Sequence, residues 1–268
     1  MRIGFIGCGN MGGAVASALC EHEGYDVHVF DVNEDFCKSF CQTSGAVHEP
    51  SLKALFNACE ALVIAVKPQV LAGLYPTFRT LGSARRKWIS LAAGVPLEVL
   101  SSNLETHDIV RFMSNLAARS KAAVTAVCPC ASCDMAFAQQ AQELAGLFGE
   151  AFYLEERLFG AFIGVSASGI AYVLEMVHAM AMGATDQGIA YPTAVKMASA
   201  TLKSAAALIE SDDQGPATLM TRVCSAAGTT IKGMKALSDG GFDACVQNAV
   251  IKASERAVEL ERKAKESL

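Results

Sequence analysis

The sequence predicts two unlike halves. Residues 1–155 read as an α/β unit, a parallel sheet with helices on both faces; residues 156–268 read as an all-α unit. Three observations lead there. Apolar runs of four to six residues alternate with helical patterns as far as Leu154, the order of a parallel sheet with helical crossovers. The first run ends in a glycine-rich turn that opens a helix. Beyond Glu155 the strand pattern stops, and apolar residues recur at helical spacing to the C-terminus.

The opening stretch carries the most information. Ile3-Gly4-Phe5-Ile6 suits one buried strand, and Gly7-Cys8-Gly9-Asn10-Met11-Gly12 follows as G-x-G-x-x-G. Met11 to Cys20 has helical composition, and a second strand, Val27 to Phe30, ends at Asp31, 19 residues past Gly12. Strand, glycine turn, helix, strand and acid together form a Rossmann-type dinucleotide fingerprint. Gly7 permits the turn, Gly9 lets the backbone approach a pyrophosphate, and Gly12 lets the helix lie close to the strand. Free N–H groups at the helix start suit phosphate charge, and Asp31 can accept hydrogen bonds from the adenosine ribose hydroxyls.

Further elements follow in order. Asn33 caps a helix from Glu34 to Thr43, Ala46-Val47 suits a short strand, and Ser51 to Ala58 a short helix. Ala61 to Val66 fits a strand buried on both faces. Pro68 opens a helix running to Leu81. Strands are expected at Trp88–Leu91, Ile109–Met113, Ala123–Val127 and Ala151–Leu154, with helices over Pro96–Ser101 and Met135–Phe148. Lys67, Gly94 and Asn115 all lie just past strand ends, where ligands collect in such a sheet.

Between Phe159 and Ala184 the only acidic, basic or histidine side chains are Glu175 and His178. The run is long enough to span a bilayer. Gly160, Gly164, Gly169 and Gly183 interrupt it, Ser166 and Ser168 cluster in it, and no basic flank marks an inside face. The reading is therefore a helix buried in protein, which in a chain this size calls for a second subunit. His178 is then expected as a satisfied core histidine. Pro192 to Ser211 makes another helix, and Phe242, Val246, Ala249, Val250, Ala253, Ala257 and Leu260 mark the last.

Composition narrows the partners. The chain is 52% hydrophobic and 18% charged with a formal net charge of −5, which supports a large core and argues against nucleic acid. Its ten cysteines are irregularly spaced with no secretory signal before Arg2-Ile3-Gly4, so reduced thiols in a cytoplasmic protein are expected. Cys128, Cys130 and Cys133 offer three thiols, with His107 alone nearby. A structural zinc site wants four ligands, and no metal is expected.

Arg222-Val223-Cys224-Ser225-Ala226-Ala227-Gly228-Thr229-Thr230 breaks the helical pattern ahead of a helix from Ile231 to Leu237. Ser225, the N–H groups around Gly228 and Thr229, and the Thr230 hydroxyl converge at a helix start. That arrangement suits either a carboxylate site or ordinary N-capping.

The chain resembles a pyrroline-5-carboxylate reductase from end to end. The similarity is carried by Ile6 to Met11, Ala65-Val66-Lys67-Pro68-Gln69, Ala92-Ala93-Gly94-Val95, Arg111 to Asn115, Ser166 to Tyr172, Ser225 to Thr230 and Gly240-Gly241-Phe242. The resemblance implies reduction of a cyclic imino acid to L-proline with NADPH or NADH, and helical domains interlocked as a homodimer or larger homo-oligomer. It implies that Ser225, Gly228, Thr229 and Thr230 hold the substrate carboxylate, with Thr230 hydrogen-bonding the ring nitrogen as the catalytic residue. Glu156 and Asp213 match acidic positions near the substrate pocket. Ala65, Val66, Lys67, Pro68, Ala92, Ala93, Gly94 and Asn115 line the nicotinamide half of the cofactor. The chain departs from the family at Ser114, Ala117, Ile170 and Ala226, where prolines are usual, at Ala227, where glycine is usual, and at Arg222, where a small polar residue is usual. Asp31 would repel a 2′-phosphate, which favours NADH. Two alternatives stand beside this reading: a weakly active or regulatory dinucleotide-binding relative, and a 3-hydroxy-acid dehydrogenase, for which Lys196 and Lys203 lie in no matching motif.

Overall fold

Four parallel strands bring their carboxyl ends to one level. In the computed structural model, which describes residues 1–267, Ile6 of β1 (Arg2–Ile6) pairs with Phe30 of β2 (Asp26–Phe30) and with Ile64 of β4 (Ala61–Ile64). Ile64 in turn pairs with Ser90 of β5 (Lys87–Ser90). With β3 (Val47–His48), β6 (Ile109–Met113), β7 (Ala123–Pro129) and β8 (Gly149–Tyr153), these form one sheet of order β3-β2-β1-β4-β5-β6-β7-β8.

The sheet is parallel except at one joint: β6 and β7 run antiparallel, against the all-parallel expectation. The cause is the short link 114–122, most of it the 3₁₀ turn Leu116–Ser120. A parallel crossover needs roughly a dozen residues or more.

Helices α1 (Asn10–Cys20), α2 (Glu34–Ser44), α3 (Leu52–Ala58), α4 (Pro68–Thr80), α5 (Leu97–Leu104) and α6 (Met135–Gly146) connect the strands. The expected cap at Asn33 accepts from Phe36 N at 3.1 Å, and Ser51, expected inside the next helix, caps it instead, accepting from Ala54 N at 3.1 Å. Two apolar layers result. Phe5, Leu19, Cys37, Phe112 and Phe137 belong to one, and Leu55, Phe56, Phe78, Trp88 and Leu104 to the other. Phe56, Phe78 and Trp88 touch as rings, with centroids 5.3–5.8 Å apart.

The apolar run after Glu156 is not one regular helix. A 3₁₀ turn (Glu156–Leu158), a single turn of helix α7 (Phe159–Phe162) and a π-helical segment (Ile163–Ala167) precede α8 (Gly169–Asp186). The irregular part has a fixed anchor. Ser166 is buried, accepts from Asn115 Nδ2 at 3.2 Å and donates to Val124 O at 3.4 Å.

The chain divides into two units, 1–167 with 253–267, and 168–252. The partition expected at 155 therefore differs in two places. Residues 156–167 stay with the sheet, and the end of α12 (Phe242–Ser267) returns to it. The return has a physical cause, a buried arginine described below. In the second unit α8 packs on α9 (Tyr191–Glu210), and α10 (Gly215–Val223) on α9. Tyr172 Oη donates to Ala249 O at 3.1 Å, joining α8 to α12.

Val173, Leu174, Met176, Met180, Met182 and Met197 are exposed in this unit. An apolar surface of that extent marks an interaction site. The stretch Glu156–Asp186 is apolar enough to cross a membrane by length and composition, with mean hydropathy 1.6, and 22% of its most apolar window is buried. His178, expected in a core, is exposed in the protomer with Nδ1 2.9 Å from Tyr191 Oη.

Candidate functional site

Gly7, Asp31, Ala65 and Leu91 follow directly on the level row of strand ends. Gly7 N donates to Phe30 O at 2.8 Å, Ala65 N to Ile6 O at 3.0 Å, and Leu91 N to Ile64 O at 2.9 Å. Gly7 has φ +100°, a conformation costly to residues with a Cβ. A Cβ on Gly12 would lie 2.4 Å from Gly7 O and 2.6 Å from the Ala65 Cβ, so α1 sits this close to the strands only with glycine there. Around Gly9 the space is open.

Asp31 is tied into the turn. Its Oδ2 accepts from Cys8 N at 2.9 Å and its Oδ1 from Asn33 N at 3.0 Å. A carboxylate offers about four acceptor sites, so capacity remains for ribose hydroxyls. Cys8 is buried, with Sγ 3.6 Å from Asp31 Oδ2. Burial, then the neighbouring Cys37 and Asp31, push its thiol pKa far up, so it stays a neutral lining group. Asn10 and Met11 begin α1, which has no acid in its first turn and no side-chain cap at Gly9.

The other expected dinucleotide contacts lie along the same edge. Ala65 and Val66 are half-buried and lead to Lys67, the exposed N-cap residue of α4, with Pro68 at the first turn. Ala92 is buried, Ala93 exposed, and Gly94 turns the chain at φ +74°. Asn115 is 5% exposed, and its amide is committed to protein at both ends, Oδ1 to Ala117 N at 3.2 Å and Nδ2 to Ser166. The structure gives it a bracing role at the end of β6. Ser114, in a proline position of the family, ties β6 to β7 through a 2.8 Å contact with Thr125 Oγ1.

The second constellation belongs to the other unit. Gly228 is the N-cap residue of α11 (Thr229–Asp239), without a side-chain cap. The first N–H groups of a helix lack intrahelical partners, so Thr229 and Thr230 present free donors. Gly228 N donates to Ser225 O at 3.1 Å. A Cβ on Gly228 would lie 2.2 Å from Ser225 Oγ, so the serine hydroxyl is folded over the helix start. Ser225 and Thr229 are exposed, Gly228 and Thr230 half-buried. Ala227 has φ +59°, the left-handed region where glycine is at ease.

The two acids expected at the substrate pocket have other surroundings. Glu156 Oε1 accepts from Leu97 N at 2.7 Å and from Arg111 Nη1 at 2.6 Å. Asp213 is exposed. Its neighbour Asp212 pairs with Arg222 at 2.6 Å and accepts from Gln214 N at 2.9 Å.

Sequence reasoning passed over three residues. Arg111 is 1% exposed, bonds Glu261 as well as Glu156, and stacks 4.9 Å from the Phe159 ring centroid. Its signal was legible: an arginine inside Ile109-Val110-Arg111-Phe112-Met113 demands a partner. Glu261, on the far helix, and Arg119, on a 3₁₀ turn, gave no local signal. Among the described residues no group of three or more His, Cys, Asp and Glu side chains is arranged to hold a metal ion. Cys130 Sγ instead lies 3.6 Å from His107 Nδ1.

Comparison with known proteins places these features. Residues 156–260 match the model for pyrroline-5-carboxylate reductase dimerisation, and residues 2–73 the NAD binding domain of 6-phosphogluconate dehydrogenase. The pyrroline-5-carboxylate reductase of Methanosarcina acetivorans is 33% identical over 268 residues, covering 98% of each chain. The Coxiella burnetii pyrroline-5-carboxylate reductase structure superposes with TM-score 0.87 at 26% identity, over 96% of this chain and 97% of that one. The Plasmodium falciparum pyrroline carboxylate reductase, solved with NADP bound, shares the fold with TM-score 0.86 at 20% identity, over 97% of this chain and 98% of that one. With a third of its residues shared over nearly its whole length, the chain belongs to the pyrroline-5-carboxylate reductase family.

Proposed function

We propose that this protein reduces 1-pyrroline-5-carboxylate to L-proline with NAD(P)H, the last step of proline biosynthesis. The observation that carries the reading is the uncapped start of α11, where the free N–H groups of Thr229 and Thr230 meet the folded-over hydroxyl of Ser225. Such a helix start is built to grip a small carboxylate.

The backbone from Gly7 to Gly12 holds the dinucleotide pyrophosphate, and Asp31 the adenosine ribose. Ala65 to Pro68 and Ala92 to Gly94 flank the nicotinamide. When bound, the reduced nicotinamide supplies the hydride. A protonated imine is already electrophilic at carbon, so the side chains have little acid–base work. Thr230 orients the ring nitrogen and steadies its proton, while Ser225, Gly228 and Thr229 fix the carboxylate. Glu156 and Asp213 stand at acidic positions of the substrate pocket in this assignment, and Glu156 is bonded to Arg111.

The protein works as a homodimer or larger homo-oligomer through its helical unit, in the cytoplasm, with neither nucleic acid nor a membrane as partner. Asp31 makes NADH the favoured reductant. A second reading, a weakly active or regulatory relative, is favoured by one observation: Ala227 at φ +59° strains the carboxylate loop.

One assay separates the readings. Absorbance of the reduced nicotinamide is followed with pyrroline-5-carboxylate, and in parallel the oxidised cofactor is offered 3-hydroxy acids. Rapid oxidation of NADH by the cyclic imine alone is expected. Binding of NADH with negligible turnover would assign the regulatory role, and turnover of a 3-hydroxy acid the dehydrogenase.

A further inference from the structure

The glycine turn has a cation beside it that no carboxylate neutralises. Arg119, on the 3₁₀ turn Leu116–Ser120, donates from Nη2 to Asn10 Oδ1 at 2.8 Å. Asn10 is the first residue of α1. A guanidinium at that end faces the positive pole of the helix dipole, an unfavourable place for a cation. No acid in the first turn of α1 offsets it, and no side chain caps Gly9. Lys121, three-dimensionally close and on the same cavity wall, is already paired with Glu21. Among the described residues Arg119 has only the neutral amide oxygen of Asn10.

These positive groups surround a space. A cavity of about 320 Å³ opens at the turn, lined by Cys8, Gly9, Asn10, Phe36 and Arg119 together with the Lys121–Glu21 pair. Unsatisfied helix N–H groups, a dipole end and a guanidinium with unused donors together form a pocket for a doubly charged anion. Arg119 is exposed and donates only to the neutral Asn10 amide, so its remaining donors can turn to an anion held at the helix start.

We propose that Arg119 is an affinity-determining ligand of the dinucleotide pyrophosphate, delivered from the link between β6 and β7 and aimed by Asn10. The inference rests on the dinucleotide reading of the first turn. It goes beyond that reading by adding a contact that lies 109 positions away from the glycine motif. Because the pyrophosphate is common to both reductants, Arg119 serves NADH and NADPH equally. That separates its role from recognition of a 2′-phosphate.

The test titrates the full-length protein and its Arg119→Gln and Arg119→Lys variants with NADH and with NADPH, each at low and high salt. Glutamine keeps a donor for Asn10 and removes the charge. Expected is a loss of about tenfold in affinity for both cofactors in Arg119→Gln, the scale of one charge-assisted contact. The salt dependence of Kd should flatten in the same variant, and Arg119→Lys should recover it. A role confined to bracing the 3₁₀ turn would leave the salt slope unmoved. Unchanged affinities and slope in Arg119→Gln overturn the proposal, as does a loss for NADPH alone. Failure of the unmodified protein to bind either cofactor would instead sink the dinucleotide reading, and the proposal with it.

Discussion

Arg111 and Glu261 stand 150 positions apart and meet at 2.9 Å, the arginine almost wholly buried at the middle of β6 and the carboxylate on α12. The same Nη1 reaches Glu156 at 2.6 Å. Glu156 also accepts from Leu97 N, and the α12 backbone at Glu261 lies 3.8 Å from where a Gly94 Cβ would stand. One arginine thus holds the last helix and the 3₁₀ turn at Glu156 around the loop 91–97. A buried charge survives only when paired, which is why the chain's end returns to the sheet.

Arg111→Met leaves two carboxylates facing each other without their cation. Breaking a buried pair from one side costs about 3–5 kcal/mol. The midpoint of urea denaturation should fall accordingly, and Glu261→Gln, which retains an acceptor, should fall by about 1 kcal/mol. Equal stability of Arg111→Met and parent would show that the network is incidental.

Ala227 occupies a left-handed conformation at φ +59°. For a residue with a Cβ that costs roughly 1–2 kcal/mol. Ala227→Gly should therefore stabilise the protein by about 1 kcal/mol after the entropy of the unfolded glycine is set against the relief. Thermal melting checks it. A lower KM for the imino acid in the same variant would tie the strain to substrate binding.

The elements of the chain differ in how far they could be read. The first turn was legible because its constraints are local: the φ of Gly7 and the close approach of Gly12 to Gly7 O follow from residues near in sequence. The cap at Asn33 was legible for the same reason. The antiparallel joint between β6 and β7 was not, because strand direction depends on the length and path of the 114–122 link. Glu156 was visible as an acid, but its partners, Arg111 and Leu97, come from distant elements. The break in the apolar run lay behind Ser166, whose hydroxyl is fixed by Asn115 and Val124.

Cys41 and Cys59 are buried, and burial pushes each thiol from 9.0 up to about 12. Unfolded thiols lose their protons near pH 9 while the folded ones keep them, so the folded state binds more protons. Stability must then fall as pH rises above about 9, by on the order of 1 kcal/mol per pH unit for each thiol. Urea midpoints at about pH 8 and about pH 10 measure the slope. The double variant Cys41→Ala, Cys59→Ala should show a shallower fall; an identical slope would remove these thiols as the cause.

Thr230 follows Thr229 at the uncapped start of α11 and is half-buried. If its hydroxyl orients the ring nitrogen, Thr230→Ala should lower kcat by about tenfold, the scale of one hydrogen bond to a charged group. NADH affinity should stay as in the parent. Steady-state rates and a cofactor titration on the same preparation make the comparison, and equal kinetics in mutant and parent would refute the role.

Asp31 spends one contact on each of two backbone donors, Cys8 N and Asn33 N, and puts a carboxylate just past the end of β2. A 2′-phosphate on the ribose would bring like charges together there, which is strongly unfavourable. Asp31→Asn keeps an oxygen for Cys8 N and removes the charge. The ratio of NADPH to NADH affinity should rise by roughly tenfold or more, read from paired Kd titrations. Asp31 holds Cys8 of the turn through its N–H and its thiol, and Asn33 through its N–H, so a change confined to NADPH would isolate charge from geometry. Weakening of both cofactors together would mean that Asp31 acts mainly by holding the turn in shape.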